Sequence, residues 1–210
     1  MKRASLIISA VLMTAMLFIS CGNKGYKEVK IGNQIWMAEN LNVDKFRNGD
    51  PIPQVKTAEK WAMAGSKRQP AWCYYGNDPD NGKLYGKLYN WYAVNDPRGL
   101  APVGWRIPTD NDWSRMVKFL GGERAVSNKI KNSSGWYRGN GTNESGFSGL
   151  PGGFRNIGEF RDIGLFTGWW SSTEYSTTSS IFRPVSYDNY VGYQRNTSKR
   201  NGYYVRVLRE

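Results

Sequence analysis

Cys73 is the single cysteine downstream of Cys21, and that restricts the fold more than any other feature of the sequence. Met1-Lys2-Arg3 is a short basic region, Leu6 to Ile19 is an almost unbroken apolar run, and Ser20 stands directly before Cys21. This is the layout of a secretory signal, and the run is shorter than the ~20 residues of a comfortable membrane span. With cysteine at the cleavage point, residues 1–20 read as a bacterial lipoprotein signal. The Cys21 thiol would take the lipid and become the new N-terminus. Phe18 is a less usual residue than Leu three positions before the cysteine; a plain secretory signal and an uncleaved anchor are the alternatives. Residues 21–25 are then a tether and residues 26–210 one domain, expected to be held in the bacterial envelope at the outer membrane. If Cys21 is acylated, Cys73 has no partner, and an exported domain must fold on its apolar core without a disulfide. A length of roughly 190 residues suffices for that. In "AWCYYG", Cys73 reads as a small buried hydrophobe.

The composition removes several chemistries. No histidine is present, which excludes Ser-His-Asp and Cys-His catalysis, histidine zinc sites and the usual neutral-pH general base. No cofactor and no metal are expected. The chain carries 29 basic against 17 acidic residues, and setting aside Lys2 and Arg3 lowers the net charge from +12 to about +10. That favours anionic surroundings such as acidic polysaccharide or phospholipid heads. The basic residues are scattered along the chain, so a nucleic-acid partner is not expected.

Local patterning predicts a mixed α+β domain. "YKEVKIGNQIWMAENL" holds two alternating runs joined by Gly32-Asn33, the signature of a β-hairpin. "VKTAEKWAMAG" (Val55 to Gly65) predicts a short helix stopped by Gly65. Asp78, Asp80 and Asn81 lie in a segment read as a turn; EF-hand spacing fails there because Lys83 and Tyr89 occupy the sixth and twelfth positions. A different cation site in that turn stays open. Leu84 to Val94 is apolar enough to be buried. In "GWRIPTDNDW", Thr109 is placed to cap a helix, with Asp110 and Asp112 in its first turn and Gly121-Gly122 at its end. Arg106 is expected to pair with a nearby carboxylate, which makes this stretch a frame and not a catalytic centre. Residues 127–168 are dominated by glycine and asparagine and read as a long, functional loop. "GWWSSTE", "SIFRPVSY", "YVGYQRN" and "NGYYVRVLR" read as an antiparallel C-terminal sheet, with one of Trp169 and Trp170 facing the core.

Several phrases in order, "GKLYNWYAV", "APVGWRIPTDNDWSRMVKFLGG", "SGFSGLPGGFR", "GWWSSTE" and "NGYYVRVLRE", resemble the Fibrobacter succinogenes major paralogous domain, from about Val29 to Leu208. The resemblance implies a C-type-lectin-like fold, shared with formylglycine-generating enzymes. Its antiparallel sheets, one or two short helices and long loop region bring the chain ends together. The departures are as informative. Glu-Pro-Asn, Gln-Pro-Asp and Trp-Asn-Asp, the calcium-and-sugar tripeptides of lectins, are absent, and Cys73 alone cannot supply the copper-binding cysteines of the enzymes. A shared fold does not restore a function whose residues are missing.

The leading expectation is a non-catalytic envelope binding module for a glycan, an anionic surface polymer or a protein partner. Tyr and Trp offer large contact area at small entropic cost and stack on sugar rings. Trp136, Tyr137, Arg155, Tyr187, Tyr190, Tyr193 and Arg195 are the candidate contacts, each with fold packing as its competing role. The rival reading is a glycosidase using two of Glu144, Glu159, Asp162, Glu174 and Asp188. A structural part in an envelope assembly is the third.

Overall fold

The computed structural model describes residues 25–188 and 195–210. The signal stretch, Cys21, Tyr190 and Tyr193 lie outside the described residues. Gly32 takes φ 61° between β1 (Glu28–Ile31) and β2 (Gln34–Met37), a backbone state that glycine adopts without strain. The hairpin forms with Ile31 opposite Gln34. Thr57 caps α1 (Ala58–Ser66) by accepting the Lys60 N–H. β3 (Trp72–Cys73) is followed by a short 3-10 turn, then by α2 (Pro79–Tyr85).

The segment read as a turn is therefore a helix start. Asp78 accepts the Asp80 N–H as N-cap, and Pro79 occupies the first turn, where its missing N–H costs nothing. Asp-Pro-Asp-Asn-Gly carries both signals, and the helix wins because Leu84 and Tyr85 extend it. Asp80 pairs with Lys83, and among the described residues no cluster of three His, Cys, Asp or Glu is placed to hold a metal ion.

β4 (Leu88–Tyr89) pairs antiparallel with β3, followed by α3 (Trp91–Val94) and β5 (Trp105–Arg106). α4 (Asp110–Phe119) opens on a full capping box: Thr109 Oγ1 accepts the Asp112 N–H, and Asp112 Oδ2 accepts the Thr109 N–H at 2.8 Å. Arg106 completes the expected ion pair through two bonds to Asp112, of 2.6 and 2.9 Å. Burial alone would raise the Asp112 carboxyl. The Arg106 guanidinium, with the Thr109 hydroxyl and N–H, outweighs it and holds the pKa at about 2, below its ordinary 3.8. A depressed acid stabilises the fold above its unfolded pKa, so this contribution is lost as pH falls from 3.8 toward 2. Allowing for the exposed Arg106 end, we expect about 1–2 kcal/mol. Denaturant midpoints measured down this pH range should fall in the native chain and flatten in Asp112→Asn.

α5 (Glu123–Ile130) begins directly after Gly122, then come β6 (Gly152–Arg155), β7 (Phe160–Ile163), β8 (Phe166–Glu174), β9 (Ser179–Ser186), β10 (Arg195–Ser198) and β11 (Leu208–Arg209). The long loop expected over 127–168 is thus shorter. Val126 and Ile130 sit at helical spacing on the core side of α5, and β6 and β7 form a hairpin. With α1 to α5, the helices also exceed the one or two expected. What remains irregular, residues 131–151, is tied back onto α5: Thr142 N–H donates to Asn128, Ser145 N–H to Lys129 and Gly149 N–H to Ile130.

The sheets run β1-β2-β11-β5, β10-β9-β8, β3-β4 and β6-β7, every neighbouring pair antiparallel. β11 lies between β2 and β5, and Arg209 pairs with Glu28, so the two ends of the domain meet. The closing segment does not join the C-terminal sheet as a full strand. It runs as a seam: Tyr203 exchanges both backbone bonds with Tyr89, Tyr204 bonds β8, and the carbonyls of Val205 and Val207 receive Leu41 and Met37.

β8 has a core on each face. Trp169 and Trp170 are both fully buried, in two different apolar clusters. The alternation holds, and each of the pair points into a core of its own because Thr167 to Ser171 are buried on both faces. Trp169 packs on Trp113 and Phe147, at centroid distances of 6.0 and 5.1 Å. Trp170 meets Tyr203 edge-on at 5.0 Å. Cys73 is buried, and burial pushes its thiol up to about 11.

Much of the positive charge is internal. Lys87, Lys131, Lys199, Arg155, Arg183 and Arg206 are all buried, against a single buried acid, Asp112, among the described residues. Five of the six cations lie over aromatic rings: Lys87 over Trp72, Lys131 over Trp136, Arg155 over Trp61, Lys199 over Trp91 and Arg206 over Phe147. The net charge therefore overstates how basic the surface is.

Candidate ligand-binding site

Trp136 and Tyr137 are neighbours with opposite fates. Trp136 is 5% exposed; its indole N–H donates to the Gly149 carbonyl at 3.1 Å, and its backbone N–H to Asn140 Oδ1. It anchors the loop from below. Tyr137 is 72% exposed and its backbone N–H donates to the Gly164 carbonyl, while Tyr187, 38% exposed, donates its own to the adjacent Leu165 carbonyl. Two tyrosines 50 positions apart are thereby set on the same turn between β7 and β8. Gly135, Tyr137, Ile163, Gly164 and Leu165 line a depression of about 320 Å³, with Arg138 stacked on the Tyr137 ring.

Lys131 holds this shelf together. Its ammonium is fully buried and donates to the carbonyls of Gly139 and Tyr187, the latter at 3.2 Å. The Trp136 ring lies 5.1 Å away. Burial lowers its pKa, and Asp188 opposes that shift. Gly139, at φ 63°, is required at this staple, because a Cβ there would overlap the Tyr187 carbonyl. The loop and the end of β9 are thus fixed to each other through Lys131.

A second concavity has a volume of about 380 Å³. Lys27, Glu39, Asn40, Asn42, Lys83 and Arg206 are among its lining residues, with Arg206 buried at its base. Leu150 lines this cleft, and a Cβ on Gly135 of the shelf would stand 3.8 Å from Leu150, so the two linings approach each other there without sharing a residue.

The model of the Fibrobacter succinogenes major domain family matches residues 29–209, from β1 through β11. The chain belongs to this family. No curated protein and no solved structure matches it. Among the described residues no helix is long and apolar enough to cross a membrane.

Within this major domain the remaining candidates separate. Arg155 is a correction: it is 1% exposed and donates to the carbonyls of Val55 and Lys56 while stacking on Trp61 and Phe160. It pins β6 to the segment before α1 and lines neither of the two concavities. Trp136 likewise leaves the list of contacts and becomes a support. Arg195 is exposed at the start of β10, opposite Phe182. The acids of the glycosidase reading are engaged separately: Glu144 with Lys129, Glu159 with Arg161, Glu174 with Lys199, and Asp188 with the Ser186 hydroxyl. Asp162 turns the β7–β8 corner at φ 61°, its carbonyl accepting the Leu165 N–H.

Lys131 under the shelf and Arg206 in the cleft are the residues that the sequence does not flag. A lysine among polar loop residues and an arginine in an alternating strand both read as solvated. The available signal is indirect: "YYVRVLR" puts Arg206 between two valines that are themselves core residues.

Proposed function

We propose that this domain is a non-catalytic glycan-binding module of the bacterial envelope, anchored at the outer membrane through lipid on Cys21. The observation that carries the reading is the pair of exposed tyrosines, Tyr137 and Tyr187, set on one turn above the buried Lys131 staple. Sugar rings stack on such faces. A C-type-lectin-like arrangement agrees with this, supported by chain ends that share one sheet and by the irregular region 131–151 that carries Tyr137.

The test uses the full-length chain purified in detergent against a panel of neutral and acidic glycans. Tyr137→Ala and Tyr187→Ala together should weaken the best ligand by about tenfold or more, the scale of losing stacked rings at a binding centre. Stability should stay within about 0.5 kcal/mol, as for other exposed side chains. Unchanged affinity in the folded double variant would remove the shelf from the reading.

A further inference from the structure

We infer that the cleft floored by Arg206 takes the carboxylate of an acidic sugar, so that the glycan read by the tyrosine shelf is a uronate-bearing one. This rests on the glycan reading of that shelf and adds the chemical class of its ligand.

Arg206 is the first observation. Arg206 is 2% exposed, and its guanidinium bonds no carboxylate among the described residues. Nε donates to Asn40 Oδ1 at 2.6 Å, Nη1 to the carbonyls of Met37 and Phe147 at 3.0 and 2.6 Å, and Nη2 to Ser148 at a long 3.3 Å. A guanidinium has five N–H groups, so these four bonds leave one Nη2 hydrogen without an acceptor among the described residues. Burial pulls the Arg206 pKa down to about 9, with Glu39 opposing that shift. A buried cation held only by carbonyls and ring faces is what an incoming carboxylate would stabilise most.

The walls give the second observation. Lys27 and Lys83 stand exposed on the rim, Lys83 also touching Asp80, and Glu39 is the only acid lining the cleft. Asn40, Asn42, Asn132 and Ser148 make the remaining polar surface, suited to hydroxyls. A volume of about 380 Å³ lies at the small end of the range for small-molecule sites, the size of one or two sugar rings. Asn40 is fixed from three sides, donating to Tyr85 and accepting from Trp169 and Arg206, so the floor is preformed.

A carboxylate and an inorganic oxyanion present similar chemistry, and the experiment separates them. The full-length chain in detergent is titrated with glucuronate, glucose and inorganic phosphate and followed by protein NMR, which registers weak binding. Saturable binding of glucuronate with no response to glucose or phosphate is the expected result. Equal binding of glucose, binding of phosphate alone, or no glucuronate binding overturns the inference. The paired rim variant Lys27→Glu, Lys83→Glu changes only exposed side chains, so it folds even where Arg206→Lys does not. It should weaken glucuronate by about tenfold, the scale of two exposed charges acting together. Unchanged affinity in that variant also overturns it. A shelf that still binds neutral glycan through Tyr137 and Tyr187 while the cleft ignores glucuronate would sink this inference alone.

Discussion

Trp169→Ala is expected to destabilise the domain by about 3–5 kcal/mol, the range for emptying a fully buried aromatic site. The indole packs on Trp113 and Phe147, which themselves meet Trp36 at 4.7 and 6.0 Å, so its removal opens the centre of one cluster. It also removes the donor that orients Asn40, and Asn40 in turn receives Arg206. Urea denaturation of the variant and of Trp169→Phe separates these effects. The phenylalanine refills most of the space but leaves Asn40 short of a donor, and should lose about 1–2 kcal/mol. An alanine variant within about 1 kcal/mol of the native protein would mean that this ring is not the centre of its cluster.

Lys131→Met is the second large effect, and it acts on stability and binding together. Methionine reproduces the apolar stem but leaves the Gly139 and Tyr187 carbonyls without their shared donor. Replacing both partners of a buried polar contact by apolar groups can be neutral, but backbone carbonyls cannot be replaced, so the loss is one-sided. We expect about 1–2 kcal/mol, because Gly139 and Tyr187 are themselves exposed and water can partly replace the lost donor. Glycan affinity should also drop by about tenfold as the Tyr137 loop and the end of β9 part, although Lys131 touches no ligand. Denaturation and glycan titration on the same preparation check both. A variant that loses stability but binds normally would show that the shelf does not depend on the staple.

The parts of the fold visible in the sequence were those whose signals are local. Gly32-Asn33 specified a hairpin, Thr109 with Asp112 a capped helix, and Arg106 its ion pair, because each depends on residues within a few positions. What was hidden is non-local. Nothing near Trp169-Trp170 says that both faces of the strand will be covered, since the covering residues come from Trp113, Phe147, Tyr203 and Phe182. The same holds for α5, where glycine and asparagine around Val126 and Ile130 masked a two-turn apolar stripe. At the site, Tyr137 and Tyr187 are placed on one turn by backbone bonds to Gly164 and Leu165, an alliance that a linear reading cannot locate. Arg155 and Trp136 misled for the opposite reason: aromatic and basic residues in a glycine-rich stretch fit a binding surface, but here they brace the loops from within.

The buried cations lean mainly on carbonyl oxygens and aromatic faces, and neither of these takes up a proton in mildly acidic water. Only Arg183, with Asp110, and Lys199, with Glu174, make a direct ion pair with a carboxylate among the described residues. An interior wired in this way is largely insulated from acidification and from added electrolyte, both of which weaken ion pairs built from two opposite charges. That insulation keeps the Tyr137 loop and the end of β9 in register while the chemistry outside drifts.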